Sequence, residues 1–154
     1  MSVSVAETKN PKETEALGAE LAARLRDGDV VLVRGELGSG KTTFVRGAAR
    51  ALGVTDPITS PTFSIGHRYR AAQANQTETQ NQNQTQTVSH LDLYRLAGGL
   101  QVEDPGLLDD YLGPGRIAFV EWPVQDSAEL ASARVRVTLT HLGDDRRRIE
   151  VTEE

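Results

Sequence analysis

Between Val30 and Leu52 the chain reads VVLVRGELGSGKTTFVRGAARAL. The apolar, β-branched run Val30–Val33 is too short for a helix and has no polar alternation, which predicts a strand buried on both faces of a parallel sheet. Lys41 to Leu52 carries helical periodicity and is closed by Gly53. Joining the two, Gly35-Glu36-Leu37-Gly38-Ser39-Gly40-Lys41-Thr42 satisfies G-x-x-x-x-G-K-[ST] at every fixed position, with the required strand before it and helix after it. Such a unit commits the chain to an α/β fold and to phosphate chemistry. The glycines let successive N–H groups turn inward toward a β-phosphate, assisted by the N-terminus of the following helix. Lys41 offers a point charge to the β- and γ-phosphates, and the Thr42 hydroxyl is a magnesium ligand. A plain glycine-rich turn would require neither Lys nor Thr in succession.

A phosphate loop needs an acid for metal and water, usually at the end of a neighbouring strand. Glu121 ends the apolar run Ile117–Val120, and Asp92 lies in VSHLDLYRL on a more alternating strand. Strand carboxyl ends converge on the ligand crevice in doubly wound sheets, so both acids are candidates. Asp92, Glu121 and Lys41 are the expected catalytic residues, with Thr42 and Glu121 as the metal pair.

The rest of the chain alternates helix and strand. Glu13 to about Arg26 is expected to be helical, ended by Asp27-Gly28-Asp29. Ser64–Tyr69 and Val88–Leu93 are expected to form a long-tipped hairpin, and Leu107–Leu112 a short helix. Arg134–Thr140 alternates and should pair with Arg147–Val151 across Gly143-Asp144-Asp145. The fold class is therefore α/β: a three-layer, P-loop NTPase-like arrangement whose mixed sheet has parallel core strands and antiparallel edge hairpins. Between the hairpin strands, residues 71–87 contain thirteen Gln, Asn or Thr in seventeen positions. That tract has nothing to bury and reads as a tolerated loop insertion within one domain spanning 1–154.

Composition narrows the function. Net charge is −5, from 17 basic and 22 acidic residues, which argues against gripping tRNA or DNA through this chain's own surface. With no cysteine, thiolate metal sites and cysteine nucleophiles are excluded, and the three histidines are scattered. No apolar run approaches membrane-spanning length, and MSVSVAETKN is not a signal peptide, so the expected location is cytoplasmic. Ser60-Pro61-Thr62-Phe63 stands where phosphate-loop proteins carry a switch segment, with Thr62 as its sensor. Trp122 reads either as a stacking residue or as core. Arg134 and the run Arg146-Arg147-Arg148 read either as ligand contacts or as solvated charge, and Arg134 is kept among the nucleotide-binding candidates.

GELGSGKTTFVRG, SPTFSI, HLDLYRL and FVEWP, in this order and spacing, resemble the bacterial TsaE family, also called YjeE. The family's members are ATPases required for threonylcarbamoyl-adenosine modification of tRNA. The resemblance covers about residues 8–151. It implies ATP or ADP phosphates on Gly38, Ser39, Gly40, Lys41, Thr42 and Thr43, magnesium on Thr42 and Glu121, and an ATPase-essential carboxylate at Asp92. It further implies that Thr62 lies in a switch-like loop, that Trp122 sits close to the nucleotide, and that the stretch from Thr8 to Thr14 lies near the adenine. The implied partners are a heterodimer of TsaB and TsaD, so that tRNA is met only through the complex. Two other classes remain open from the residues alone: a small phosphotransferase, for which no helical lid insertion is evident, and a nucleotide sensor that does not hydrolyse.

Overall fold

The computed structural model describes residues 2–36, 38–58, 66–71, 86–92, 111–121 and 133–154. In chain order these form β1 (Ser2–Thr8), α1 (Pro11–Ala22), β2 (Val30–Arg34), α2 (Lys41–Ala51), β3 (Gly66–Ala71), β4 (Gln86–Asp92), β5 (Arg116–Glu121), β6 (Val135–Gly143) and β7 (Arg146–Glu153). The strands make one mixed sheet in the order β1-β7-β6-β2-β5-β4-β3. Its centre is parallel, with β2 held between β5 and β6 and β4 continuing beside β5. Both edges are antiparallel, β3 on β4 at one side and β1 on β7 at the other. The expected fold class holds.

Burial explains why the central strands lack alternation. Val31 and Val33 of β2, with Ile117 and Phe119 of β5, join Phe44, Val45 and Ala48 of α2 and Leu21 of α1 in one large core cluster. Leu32 and Val120 point the other way, into a smaller cluster with Leu91 and Ala133, against which Tyr111 and Leu112 pack. Strands covered on both faces need apolar residues at every position. Both described helices lie against the first face.

Three local expectations are refined. β1 was not expected; its Ser-Val-Ser-Val alternation is an edge-strand pattern, and its pairing partner, β7, begins more than 130 residues later. Helix α1 starts earlier than expected because Pro11 takes its first position and the Asn10 side chain accepts from Glu13 N at 2.9 Å. It also ends earlier, as Arg24 N and Leu25 N turn back to Leu21 O and Ala22 O, closing the last turn on tighter bonds. The expected helix over 107–112 lies outside the described residues up to 110, and Tyr111 and Leu112 belong to a turn. Most of the polar tract is also outside them, but Ala71 and Gln86 are register partners, so the hairpin closes at its base.

Helices α1 and α2 meet backbone to backbone. A Cβ on Gly47 would stand 2.0 Å from Glu15 O, and one on Gly18 would stand 2.2 Å from Phe44 O. Neither neighbour is a movable side-chain tip. We expect Gly47→Ala to lower stability by about 2 kcal/mol, despite alanine's better helix propensity, because the helices must separate. Equilibrium urea unfolding checks this; a variant as stable as the parent would show that the helices are not locked together here.

Candidate phosphate-binding site

The site is built where three parallel strands end. Val33, Glu121 and Asp92 are register neighbours across β2, β5 and β4, so their side chains leave the sheet on the same side, the α2 side. From β2 the chain enters the glycine turn. Gly38 and Gly40 have φ of 79° and 97°, left-handed values that favour glycine. Gly35 is needed for a different reason: a Cβ there would fall 2.3 Å from Ser39 Oγ and 2.8 Å from Leu139 O. The turn delivers Gly40 as the N-cap of α2 with no side-chain cap hydrogen bond, and it is at such a helix N-terminus that first-turn N–H groups point outward along the axis. That is an anion-binding arrangement.

Three side chains converge on this turn. The Lys41 ammonium donates to Gly35 O, and to Glu36 O at 3.2 Å. Burial pushes its pKa below the usual lysine value, while Glu121 and Asp92 act in the opposite sense. The Thr42 hydroxyl donates to Glu121 Oε1 at 3.3 Å. Glu121 is only 2% exposed. Its other oxygen, Oε2, lies 2.9 Å from His90 Nε2, although the ring N–H is not aimed along that line. Asp92 is half-buried at the mouth.

The structure thus brings together Gly38, Ser39, Gly40, Lys41, Thr42, Thr43, Asp92 and Glu121. Thr8 and Thr14 reach the same edge of the sheet, at the β1–α1 junction, but both are buried and their hydroxyls bond each other at 2.8 Å. Thr62 and Trp122 lie outside the described residues. Of the basic run, Arg147 is the member beside the loop: its Nε would be 3.6 Å from a Cβ on Gly40, and the same residue is in register with Thr8. His90 is the residue sequence reasoning missed. The usable signal was period two, which sets His90 and Asp92 on one face.

Arg134 has to be removed from the nucleotide group. It precedes Val135, the register partner of Val31, so it stands at the opposite end of β6 from the glycine turn. There its guanidinium donates to Asp29 at 2.7 and 3.2 Å and to Arg24 O at 3.2 Å. Burial would raise the Asp29 pKa, but the Arg134 hydrogen bonds, the Arg26 N–H and both charges outweigh it and hold the carboxyl below its ordinary value. A carboxyl depressed in the folded state stabilises above its unfolded pKa, and that contribution is lost as pH falls through the folded value, below the ordinary aspartate range. Arg134→Ala should therefore cost about 1–2 kcal/mol at pH 7 and less at pH 3, while leaving ADP affinity unchanged. Urea titrations at both pH values and calorimetry with ADP check the two halves; weakened ADP binding in a folded variant would restore Arg134 to the site.

Residues 8–149 match the family model for the threonylcarbamoyl adenosine biosynthesis protein TsaE. The chain is 35% identical over 145 residues to the tRNA threonylcarbamoyladenosine biosynthesis protein TsaE of Bacillus subtilis, covering 94% of this chain and 82% of that one. Against the protein of the same name from Streptomyces coelicolor, identity is 36% over 140 residues, covering 88% and 87%. The crystal structure of Bacillus subtilis YdiB is similar with a TM-score of 0.68 at 31% identity, covering 99% of this chain and 86% of that one. Among the described residues, no helix is long and apolar enough to cross a membrane.

Proposed function

This chain belongs to the TsaE family of tRNA threonylcarbamoyladenosine biosynthesis, and from that membership and the site we propose that it is a magnesium-dependent ATPase serving the modification machinery as an accessory subunit. The observation that carries the reading is the Thr42–Glu121 hydrogen bond, formed at the start of α2 with Lys41 under the influence of both Glu121 and Asp92. A strand-end acid joined to the hydroxyl of the G-K-T threonine is the donor set of a metal–triphosphate site.

Each residue has a task in this reading. The N–H groups of Lys41, Thr42 and Thr43 and the curled backbone from Gly38 to Gly40 receive phosphate oxygens. Lys41 exchanges the carbonyls of Gly35 and Glu36 for phosphate, trading two neutral acceptors for charged ones. Thr42 and Glu121 offer hard oxygen donors suited to Mg2+. In this reading phosphate and water complete the shell around these two donors. When bound, the ion would neutralise charge on the β- and γ-phosphates. In this reading Asp92, more open than Glu121, orients the attacking water and accepts its proton.

The partner reading follows the family resemblance: a TsaB–TsaD heterodimer, with tRNA held by the complex and not by this acidic chain. The phosphate loop and Ser60–Phe63 contain no arginine, and in this reading charge on the transferred group is met by a group the partner delivers, an effect that reaches roughly 10³–10⁵-fold in related proteins. Phosphate release measured with and without the heterodimer tests this. We expect slow turnover alone and a stimulation of at least roughly 10²-fold in the complex. Full-speed hydrolysis by the lone chain, unmoved by the heterodimer, would discard the gating and reopen the phosphotransferase alternative.

A further inference from the structure

His90 is fully buried, and among the described residues neither ring nitrogen has an aligned hydrogen-bond partner. An apolar residue of similar volume would satisfy the core better at this position, since a buried polar group without a partner is destabilising. The nearest acidic oxygen is Glu121 Oε2, 2.9 Å from Nε2. Register explains the approach: His90 lies opposite Phe119 on β5, and the next same-face pair is Asp92 with Glu121. The imidazole therefore sits one step deeper in the sheet than the carboxylate, on the side away from the phosphate loop. Glu121 has a hydroxyl on one oxygen and a ring nitrogen against the other.

We propose that His90 is a positioning residue for the metal site. Its ring, with Nε2 2.9 Å from Glu121 Oε2, holds that oxygen back into the sheet so that Oε1 stays turned toward Thr42. A carboxylate that is 2% exposed cannot rely on water to orient it. Without the ring nitrogen it can rotate, presenting either oxygen, both or neither to the Thr42 side. The inference rests on the nucleotide reading above and adds a residue that never touches phosphate.

The test is calorimetric titration of ADP into the full chain, once with EDTA and once with Mg2+, for the wild type, His90→Leu and His90→Gln. Gln can place an amide N–H near the position of Nε2; Leu cannot. Loss of a group that orients a metal ligand costs roughly 10–100-fold in metal affinity. We expect unchanged ADP affinity in EDTA for all three proteins, a loss of roughly 10-fold or more in the Mg2+-dependent tightening for His90→Leu, and its recovery in His90→Gln. An equal Mg2+ response in wild type and His90→Leu overturns the proposal. If circular dichroism shows that His90→Leu does not fold, His90→Asn replaces it, with a donor too short to reach; equal Mg2+ responses from the Asn and Gln variants then overturn it. Wild-type protein that binds ADP in neither buffer overturns the nucleotide reading, and this inference with it.

Discussion

Lys41→Ala is expected to weaken ADP binding by roughly 30- to 100-fold, the scale of a charge-assisted hydrogen bond to phosphate lost from a partly enclosed site. The structure adds a second consequence. Glu121 and Asp92 are register neighbours on adjacent strands, and both act on the Lys41 ammonium. Removing that cation leaves two like charges side by side, which is destabilising. The variant should therefore melt a few degrees lower as well as bind poorly. Thr42→Ala should behave differently, keeping its affinity for ADP in EDTA and losing the additional affinity conferred by Mg2+, because its hydroxyl acts through the metal. Isothermal titration of ADP with and without Mg2+ separates the two. Unchanged ADP affinity in folded Lys41→Ala would sink the phosphate-loop assignment.

The larger effect should come from the acids. With the proposed heterodimer added, Glu121→Gln and Asp92→Asn are expected each to reduce turnover by roughly 10³-fold while ADP binding in EDTA changes little, since in the proposed reading neither acid holds phosphate. Their stabilities should diverge. Glu121 is a nearly dehydrated carboxylate, so replacing it with a neutral isostere relieves a desolvation cost and should raise the melting temperature. Asp92 is only half-buried and has less to gain. A Glu121→Gln protein that is inactive yet more heat-resistant is the signature of a site residue kept at the fold's expense. If it hydrolyses at the wild-type rate in single-turnover assays, the metal role of Glu121 is wrong.

What was legible in the chain was local. The unit β2–glycine turn–α2 could be read residue by residue because each of its causes is short-range: apolar β-branched residues, glycines at positive φ, and a helix opening on Lys-Thr-Thr. The same holds for the β6–β7 hairpin, whose alternation and Gly143-Asp144 turn lie within twenty residues. Asp92 and Glu121 were found because an acid closing an apolar run is a local pattern. Their adjacency was not, since it depends on β4 and β5 pairing in a particular parallel register across an intervening segment.

Four features were decided only in three dimensions. β1 alternates serine and valine only over its first four residues, and becomes a strand because β7 supplies its hydrogen-bond partners from the far end of the chain. The approach of α1 to α2 follows from Gly18 and Gly47, residues that in isolation only weaken a helix. Arg134 looked like any arginine near a hairpin, and the direction of β6 carried it to the end of the sheet opposite the glycine turn, where Asp29 holds it. His90 was one of three scattered histidines until β-sheet register set it against Glu121. The sequence by itself determined the strand–glycine turn–helix unit from which the proposed chemistry is read, because that unit is assembled from neighbouring residues. Tertiary structure decided which charges meet, because pairing between distant strands is set by register and burial, and neither is written in any local stretch of the chain.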